Sequence, residues 1–447
     1  MSFELYEYKI EDLGKVITGK TPPSKISDAF SAQGIPFVTP KDMDGRRLID
    51  KTERYLSSQG VEAVRNCLLP QNSIAVSCIG SDMGKTVLLP GESITNQQIN
   101  AIVVDSEHFD YKYVYYYLST LQDDFKAIAG GSATPILNKG HFSQFKVSLP
   151  VKPVQNKIAL ILDSLDTKIE VNTEINHTLE QMAQALFKSW FVDFEPVKAK
   201  MAVLESGGSQ ADVMLAAMTA ISGKDADALA VFEREHPEQY AELKATAELF
   251  PSAMQDSELG NIPVTWELGK LQDLLVLQRG FDLPSSARKD GEFPLIAASG
   301  PNGTHNVAMA KAPGVITGRS GVLGKVYLTL EDYWPLNTTL WVKEFKRATP
   351  CYAYELLRLL DMKAFNAGSA VPSLNRNHIH SLSYPLPPMA LVNLFESSAL
   401  LLHQRAHVNL KHSQSLALLR DTLLPKLLSG EITLPEAELA VSEAENV

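Results

Sequence analysis

The chain has 447 residues, of which 45% are hydrophobic and 21% charged. Those values exclude a disordered polymer and leave room for two to four domains with real apolar cores. Lys and Arg total 41 against 52 Asp and Glu, a formal net charge of -11, which excludes a uniformly basic nucleic-acid coat. The three cysteines, Cys67, Cys78 and Cys351, are widely spaced with no CxxC. Neither a disulfide framework nor a zinc site is expected, and a reducing, cytoplasmic setting is. The opening Met1-Ser2-Phe3-Glu4 has no basic segment leading into an apolar stretch, so no signal peptide is expected. No apolar run approaches the ~20 residues of a membrane span.

Residues 1–150 predict a mixed α and β domain. Short apolar runs at 35–39, 73–79 and 101–104, bounded by Gly, Pro and Asp, read as strands. Residues 111–125 read as one amphipathic helix. Residues 151–200 predict a central spacer helix. From 158 to 186, apolar residues recur at heptad spacing: Ile158, Leu165, Leu179 and Leu186 in one column, Ile161, Ile175 and Met182 in a second. Asn172 interrupts the first column. An acidic insert and linker follow at 201–258, broken by Gly207-Gly208-Ser209 and Ser222-Gly223 into helices near 211–221 and 225–249. Residues 259–388 predict a second mixed domain, with the counterpart of the 111–125 helix beginning near Cys351. A C-terminal spacer helix at 389–430 carries Phe395, Leu402, Leu416 and Leu423, again interrupted by an Asn, Asn409. Residues 431–447 form an acidic tail.

The second domain repeats the first. Gly131-Ser132-Ala133-Thr134-Pro135-Ile136-Leu137-Asn138-Lys139-Gly140-His141 returns as Gly368-Ser369-Ala370-Val371-Pro372-Ser373-Leu374-Asn375-Arg376-Asn377-His378. Nine of the twenty positions 131–150 are identical to 368–387. The offset is 237 here, 240 near Gly84-Lys85 and Gly324-Lys325, and 255 near Leu13-Gly14-Lys15 and Leu268-Gly269-Lys270. That drift marks loops of different length on one scaffold. The helices repeat as well, and the matched Asn residues predict register-setting seam positions. The expected fold is therefore α+β: two repeated mixed domains separated by two long helices. The helices should form an antiparallel, pseudo-two-fold coiled coil that brings Asn172 and Asn409 to one level. Twenty-nine residues at ~1.5 Å each give a rod of roughly 43 Å, longer than the ~34 Å of one DNA turn.

Catalytic signatures are missing. The Gly80–Thr86 stretch ends like a Walker A loop, but Ile79 stands where the first glycine belongs, and the second copy also lacks the Ser/Thr. A turn presenting Lys85 and Lys325 is the better reading. HExxH, GxSxG, GxGxxG and adenine-methyltransferase tetrapeptides are absent. His141 and His378 recur without ligand partners and read as helix-start or loop residues. No metal site and no catalytic residue is assigned.

The doubled Gly-Ser-Ala-x-Pro-x-Leu-Asn-[Lys/Arg]-x-His segment and the doubled helix are joined by two phrases flanking the insert. These are Phe187-Lys188-Ser189-Trp190-Phe191-Val192-Asp193-Phe194-Glu195-Pro196 and Asp256-Ser257-Glu258-Leu259-Gly260-Asn261-Ile262-Pro263. In this combination the chain resembles, over nearly its whole length, the specificity subunit of type I restriction-modification enzymes. The resemblance implies that each repeat is a target recognition domain reading one half of a bipartite, asymmetric DNA sequence. It implies helices that set the spacer and dock two methyltransferase subunits, with restriction subunits joining the full complex. S-adenosylmethionine, ATP and Mg2+ are then expected on those partners and no cofactor on this chain.

Loop donors and acceptors name the candidate DNA contacts. In the first domain they are Lys20, Thr21, Lys41, Arg46, Arg47, Lys85, Asn96, Gln97, Gln98, Ser132, Thr134 and Lys139. In the second they are Arg279, Arg288, Lys289, Asn302, Arg319, Ser320, Lys325, Asn337, Thr338, Thr339, Ser369 and Arg376. The Gly-Ser-Ala-x-Pro segment recurs in both copies, which favours scaffold or phosphate contact over base reading. Asn138 and Asn375 also read as caps. Trp190, Phe191 and Phe194 suit either a partner-binding patch or burial on the chain's own second helix. The alternatives to a DNA reader are a non-catalytic scaffold whose duplicated domains bind protein, and a self-contained enzyme.

The acidity is local. Residues 197–258 hold 5 basic and 11 acidic side chains, and 431–447 hold none and 5. Residues 259–388 carry 13 basic against 10 acidic, and 1–150 carry 15 against 17. The charge therefore does not count against DNA binding by the repeats.

Overall fold

The computed structural model describes residues 3–129, 136–366 and 372–445. Contacts divide the chain into two units, 1–172 with 411–447, and 173–410. Both divisions fall inside long helices, Lys152–Phe191 and Met389–Ser429. Each unit therefore holds one globular domain and a half of each helix.

In the first unit an antiparallel sheet runs in the order Gly14–Thr18, Ile99–Val104, Ser73–Ser77, Thr86–Leu89. Every residue of Ser73–Ser77 is buried, as befits a strand covered on both faces. A smaller sheet joins Phe30–Ser31, Tyr55–Leu56, Ile35–Val38 and Ile94–Thr95. The second unit repeats the order with Leu275–Arg279, Thr339–Phe345, Gly314–Gly318 and Val326–Thr329. In each unit a strand near the domain's start pairs antiparallel with the strand that leads into a long helix: Tyr6–Lys9 with Lys146–Leu149, and Glu267–Lys270 with Ser383–Leu386. The architecture is α+β, with one domain plan used twice.

Two expected helices are broken. Residues 111–125 form Tyr111–Ser119, capped by the Asp110 carboxylate on the Tyr113 N–H at 2.8 Å, and then Gln122–Ile128. Residues 225–249 form Ala226–Glu235 and Pro237–Glu248. There Pro237 lacks the N–H that a continuous helix needs and its ring excludes a helical His236. The insert begins with Glu195–Glu205, continues with Gln210–Ser222 and has a small core of Ala217, Met218, Leu229 and Ala247. Buried Lys200 fastens its two ends by donating to the carbonyls of Ala247, at 2.7 Å, and Phe250. The tail carries a helix, Leu434–Glu445, whose Ala437 and Val441 enter the first unit's core.

The long helices pack antiparallel in each unit. In the first, Asp166 pairs with Arg420 and Asn172 with Ser413, so the numbers run in opposite directions. Ile158, Leu162 and Leu165 share a core with Leu416, Leu423 and Leu427, and with Tyr113 and Phe125 of the domain. In the second unit Ala183, Phe187 and Trp190 share a core with Val392, Phe395 and Ala399. The first heptad column is as expected, but the second is displaced. Ile161 is buried, while Ile175 and Met182 are 41% and 53% exposed. The seam alternates steps of four and three, so its second column is Leu162, Ile169, Asn176, Ala183 and Trp190. Asn172 and Asn409 are both buried, and each bonds a residue four places beyond the other copy's Asn. Asn172 donates to Ser413 Oγ at 3.2 Å, and Asn409 to Asn176 Oδ1 at 3.0 Å. Asn176 in turn donates to the Ala406 carbonyl at 3.0 Å. These amides are satisfied inside the seam and favour one register.

Trp190, Phe191 and Phe194 form no outward patch. They lie at 3%, 2% and 8% exposure. Phe191 meets Tyr352 and Phe395 edge-on at 5.0 and 5.5 Å, and Phe194 meets Trp266 at 5.3 Å. The spacer helix expected over 151–200 stops at Phe191, and Phe194, just before Glu195–Glu205, has a left-handed φ of 52°, a conformation costly for a bulky residue that its buried ring contacts offset.

Each domain is also locked to its helices by charge. In the second unit Glu180 accepts from Tyr354 at 2.6 Å and pairs with Arg358 at 2.9 Å. Beside them Glu355 is 1% exposed, and burial pushes its carboxyl up to about 7 against a nearby Arg358. A carboxyl raised in the fold contributes stability fully below its unfolded value, near 4.5, and loses that contribution as pH rises through about 7. Glu355→Gln stays neutral throughout. From pH 5 to 8 it should therefore gain on the parent by up to about 3 kcal/mol, measured as a widening Tm difference. A pH-independent difference contradicts this.

Candidate nucleic-acid interface

Three loops converge in each domain, positioned by matched backbone bonds. In the first, Gly19 N–H donates to the Ile99 carbonyl at 3.1 Å, and Leu137 N–H to that of Cys78 at 3.0 Å. In the second, Gly280 N–H donates to Thr339 at 3.0 Å, and Leu374 N–H to Arg319 at 2.9 Å. The glycines are required: a Cβ would collide with the carbonyl oxygen of Asn96 at position 19, or of Leu336 at position 280. Structurally, Thr18 therefore matches Arg279, Cys78 matches Arg319, Asn100 matches Leu340, and Lys139 matches Arg376.

In the first domain this cluster gathers Lys20, Thr21, Gln97, Gln98 and Lys139. Thr21 donates to Gln97 Oε1 at 2.7 Å, and Asn96 joins Gln98 through 3.0 and 3.2 Å bonds. Lys20 and Lys139 are exposed, and both charges draw down the Cys67 thiol, although its burial raises it overall. Beneath them Thr18 donates to Asn100 at 2.6 Å, and Asn100 donates to Cys78 Sγ at 3.1 Å and to the Leu137 carbonyl at 3.2 Å. That network ties three strands and loops together.

In the second domain the equivalent positions border a cavity. This cavity, of about 430 Å3, is lined by Arg279, Arg319, Leu340, Ser373, Leu374, Asn375 and Arg376. Arg279 pairs at 3.3 Å with Asp282, which also accepts from Asn337. Arg376 reaches the Leu277 carbonyl at 3.5 Å. Ser320 bridges to Ser373, and Thr338 Oγ1 accepts from the Ala298 N–H at 3.2 Å. Thr339 is buried and donates to Leu336. Asn138 and Asn375 cap short helices, accepting from His141 N–H at 2.9 Å and Asn377 N–H at 3.0 Å.

Other candidates lie elsewhere. Arg47 is unavailable: it binds Asp163 at 2.6 Å and Glu170 at 2.9 Å on the first long helix. Burial opposes its charge, but the Glu170 and Asp163 bonds outweigh it and hold the guanidinium above its usual value. Arg46 is tied to Asp44 and Asp50, and Lys85 to Asp82 at 2.7 Å and the Met43 carbonyl. Asn96 is buried. Lys41, Lys289, Asn302 and Lys325 are exposed and Arg288 is half-buried, none of them lining the cavity. Ser132, Thr134 and Ser369 lie outside the described residues. Asp282, which orients Arg279 and Asn337, escaped the sequence reading, because an acid three residues from an arginine is common on any surface. Among the described residues, Asp105, Glu107 and His108 come within metal-ligand range. All three are exposed, and the Asp105 bonds to the His108 ring and the Glu107 N–H account for their clustering.

Residues 4–181 match the family described as "Type I restriction modification DNA specificity domain". The chain is 32% identical to the Type I restriction enzyme HindI specificity subunit of Haemophilus influenzae, over 65% of this chain and 70% of that one. It is 25% identical to the MjaIX specificity subunit of Methanocaldococcus jannaschii, over 96% and 93%. Its fold is similar to the crystal structure of a type I restriction-modification S subunit from M. genitalium, with a TM-score of 0.54 at 16% identity over 95% and 96%.

The buried and the exposed cations of the first domain should separate cleanly. Arg47→Ala removes the guanidinium shared by Asp163 and Glu170, leaving Asp163 to Lys112, and should cost about 3–5 kcal/mol in urea unfolding. Lys20→Ala should leave stability within about 0.5 kcal/mol. Equal effects would contradict the assignment.

Proposed function

Because this chain belongs to the specificity subunits of type I restriction enzymes, we propose that its two domains each read one half of a bipartite, asymmetric DNA sequence. The observation that carries this reading is the pair of matched loop clusters, alike in backbone and different in side chains. One scaffold fits one kind of ligand, and different side chains fit different sequences. The long helices set the spacer and dock two methyltransferase subunits. Leu160 and Leu418 in the first unit, and Leu401 and Val408 in the second, are 56–70% exposed on those helices and supply apolar anchors for such partners. Adenine-N6 methylation with S-adenosylmethionine, and cleavage with ATP and Mg2+ by restriction subunits, take place on the partners. The acidic insert and tail repel phosphate, so the partners also supply much of the attraction for DNA.

Methylome sequencing of cells expressing the chain with its cognate methyltransferase subunit tests this directly. The expected result is one asymmetric motif of two fixed half-sites around a fixed spacer. A protein-binding scaffold would give no motif. Methylation by the purified chain alone would overturn the placement of catalysis on the partners.

A further inference from the structure

The domains agree at some cluster positions and disagree at others, and the pattern sorts the contacts. Phosphates are alike in every sequence, so a backbone contact can be kept in both copies. Asn138 and Asn375 are kept, and Lys139 and Arg376 are both basic. Base contacts must differ where the half-sites differ. Thr18, Cys78 and Asn100 are joined by hydrogen bonds, where Arg279, Arg319 and Leu340 border a cavity.

Arg319 is the best-placed reader in that cavity. Its backbone is clamped on both sides, its N–H donating to the Thr338 carbonyl at 2.8 Å and its own carbonyl accepting from Leu374 at 2.9 Å. Its guanidinium has no polar partner among the described residues. Arg279 beside it is steadied by Asp282. A guanidinium fork fits both a phosphate and the O6/N7 edge of guanine. The difference between the copies decides for the base.

We propose that Arg319 is the guanine-reading residue of the second domain, and that Arg376 and Lys139 are the matched phosphate contacts of the two domains. This rests on the DNA-reading function above, and the two fail differently: failure of that function leaves the native chain with no defined site.

The test uses the chain assembled with its methyltransferase subunits on DNA carrying its mapped site. Each guanine is replaced in turn by 7-deazaguanine, which lacks the N7 acceptor. One position in one half-site should lose roughly 5- to 100-fold in affinity. Arg319→Gln, and Arg319→Lys, which keeps the charge without the fork, should both erase that penalty. Arg376→Gln should instead weaken binding to all sequences alike and lower the salt slope by about 1. The proposal is overturned if no 7-deazaguanine position carries a penalty on the native assembly. It is equally overturned if the penalty survives in an Arg319 variant, or if Arg376→Gln is the substitution that erases it.

Discussion

The structure depends on how two helices are shared. Each unit contains the first part of one long helix and the last part of the other, or the reverse. The first unit does not complete its core from a continuous stretch of chain, and in both units the core joins residues far apart in sequence. Tyr113 and Phe125 of the first domain need Leu416 and Leu423 from some 300 residues downstream. Tyr352 of the second needs Phe187 and Phe191 from well upstream. The antiparallel seam is thus part of both cores, and the buried amides of Asn172, Asn176 and Asn409 favour its register over a slipped one.

Charge fastens each domain to that seam by different means. The first uses Arg47 against Asp163 and Glu170, with Tyr116 and Arg420 meeting on Asp166. The second uses Tyr354 and Arg358 against Glu180. Removing one member of such a buried set leaves the other uncompensated, which makes these residues parts of the frame. The exposed cations of the loop clusters are free of that duty.

Much of this was legible in the residues. The repeat at 131–150, the shared heptad column and the matched Asn172 and Asn409 announced two domains and an antiparallel helix pair. What escaped depended on contacts distant in sequence. Arg47 reads like any loop arginine, because the acids that claim it lie more than a hundred residues on. Trp190 and Phe191 suit a partner surface as well as a core until Trp266, Tyr352 and Phe395 close over them. Ile175 and Met182 fit a heptad column, but only the partner helix decides which of two adjacent columns faces inward. In the candidate interface, Arg279, Arg319 and Arg376 were each visible singly. Their convergence needed the fold.

The claim that the shared helices set the separation of two independent readers has a direct test. Seven residues of matching seam pattern are inserted into each long helix, and the methylome is read with the cognate methyltransferase subunit. The account predicts both half-sites unchanged and the spacer between them lengthened. An unchanged spacer with both half-sites intact would contradict it.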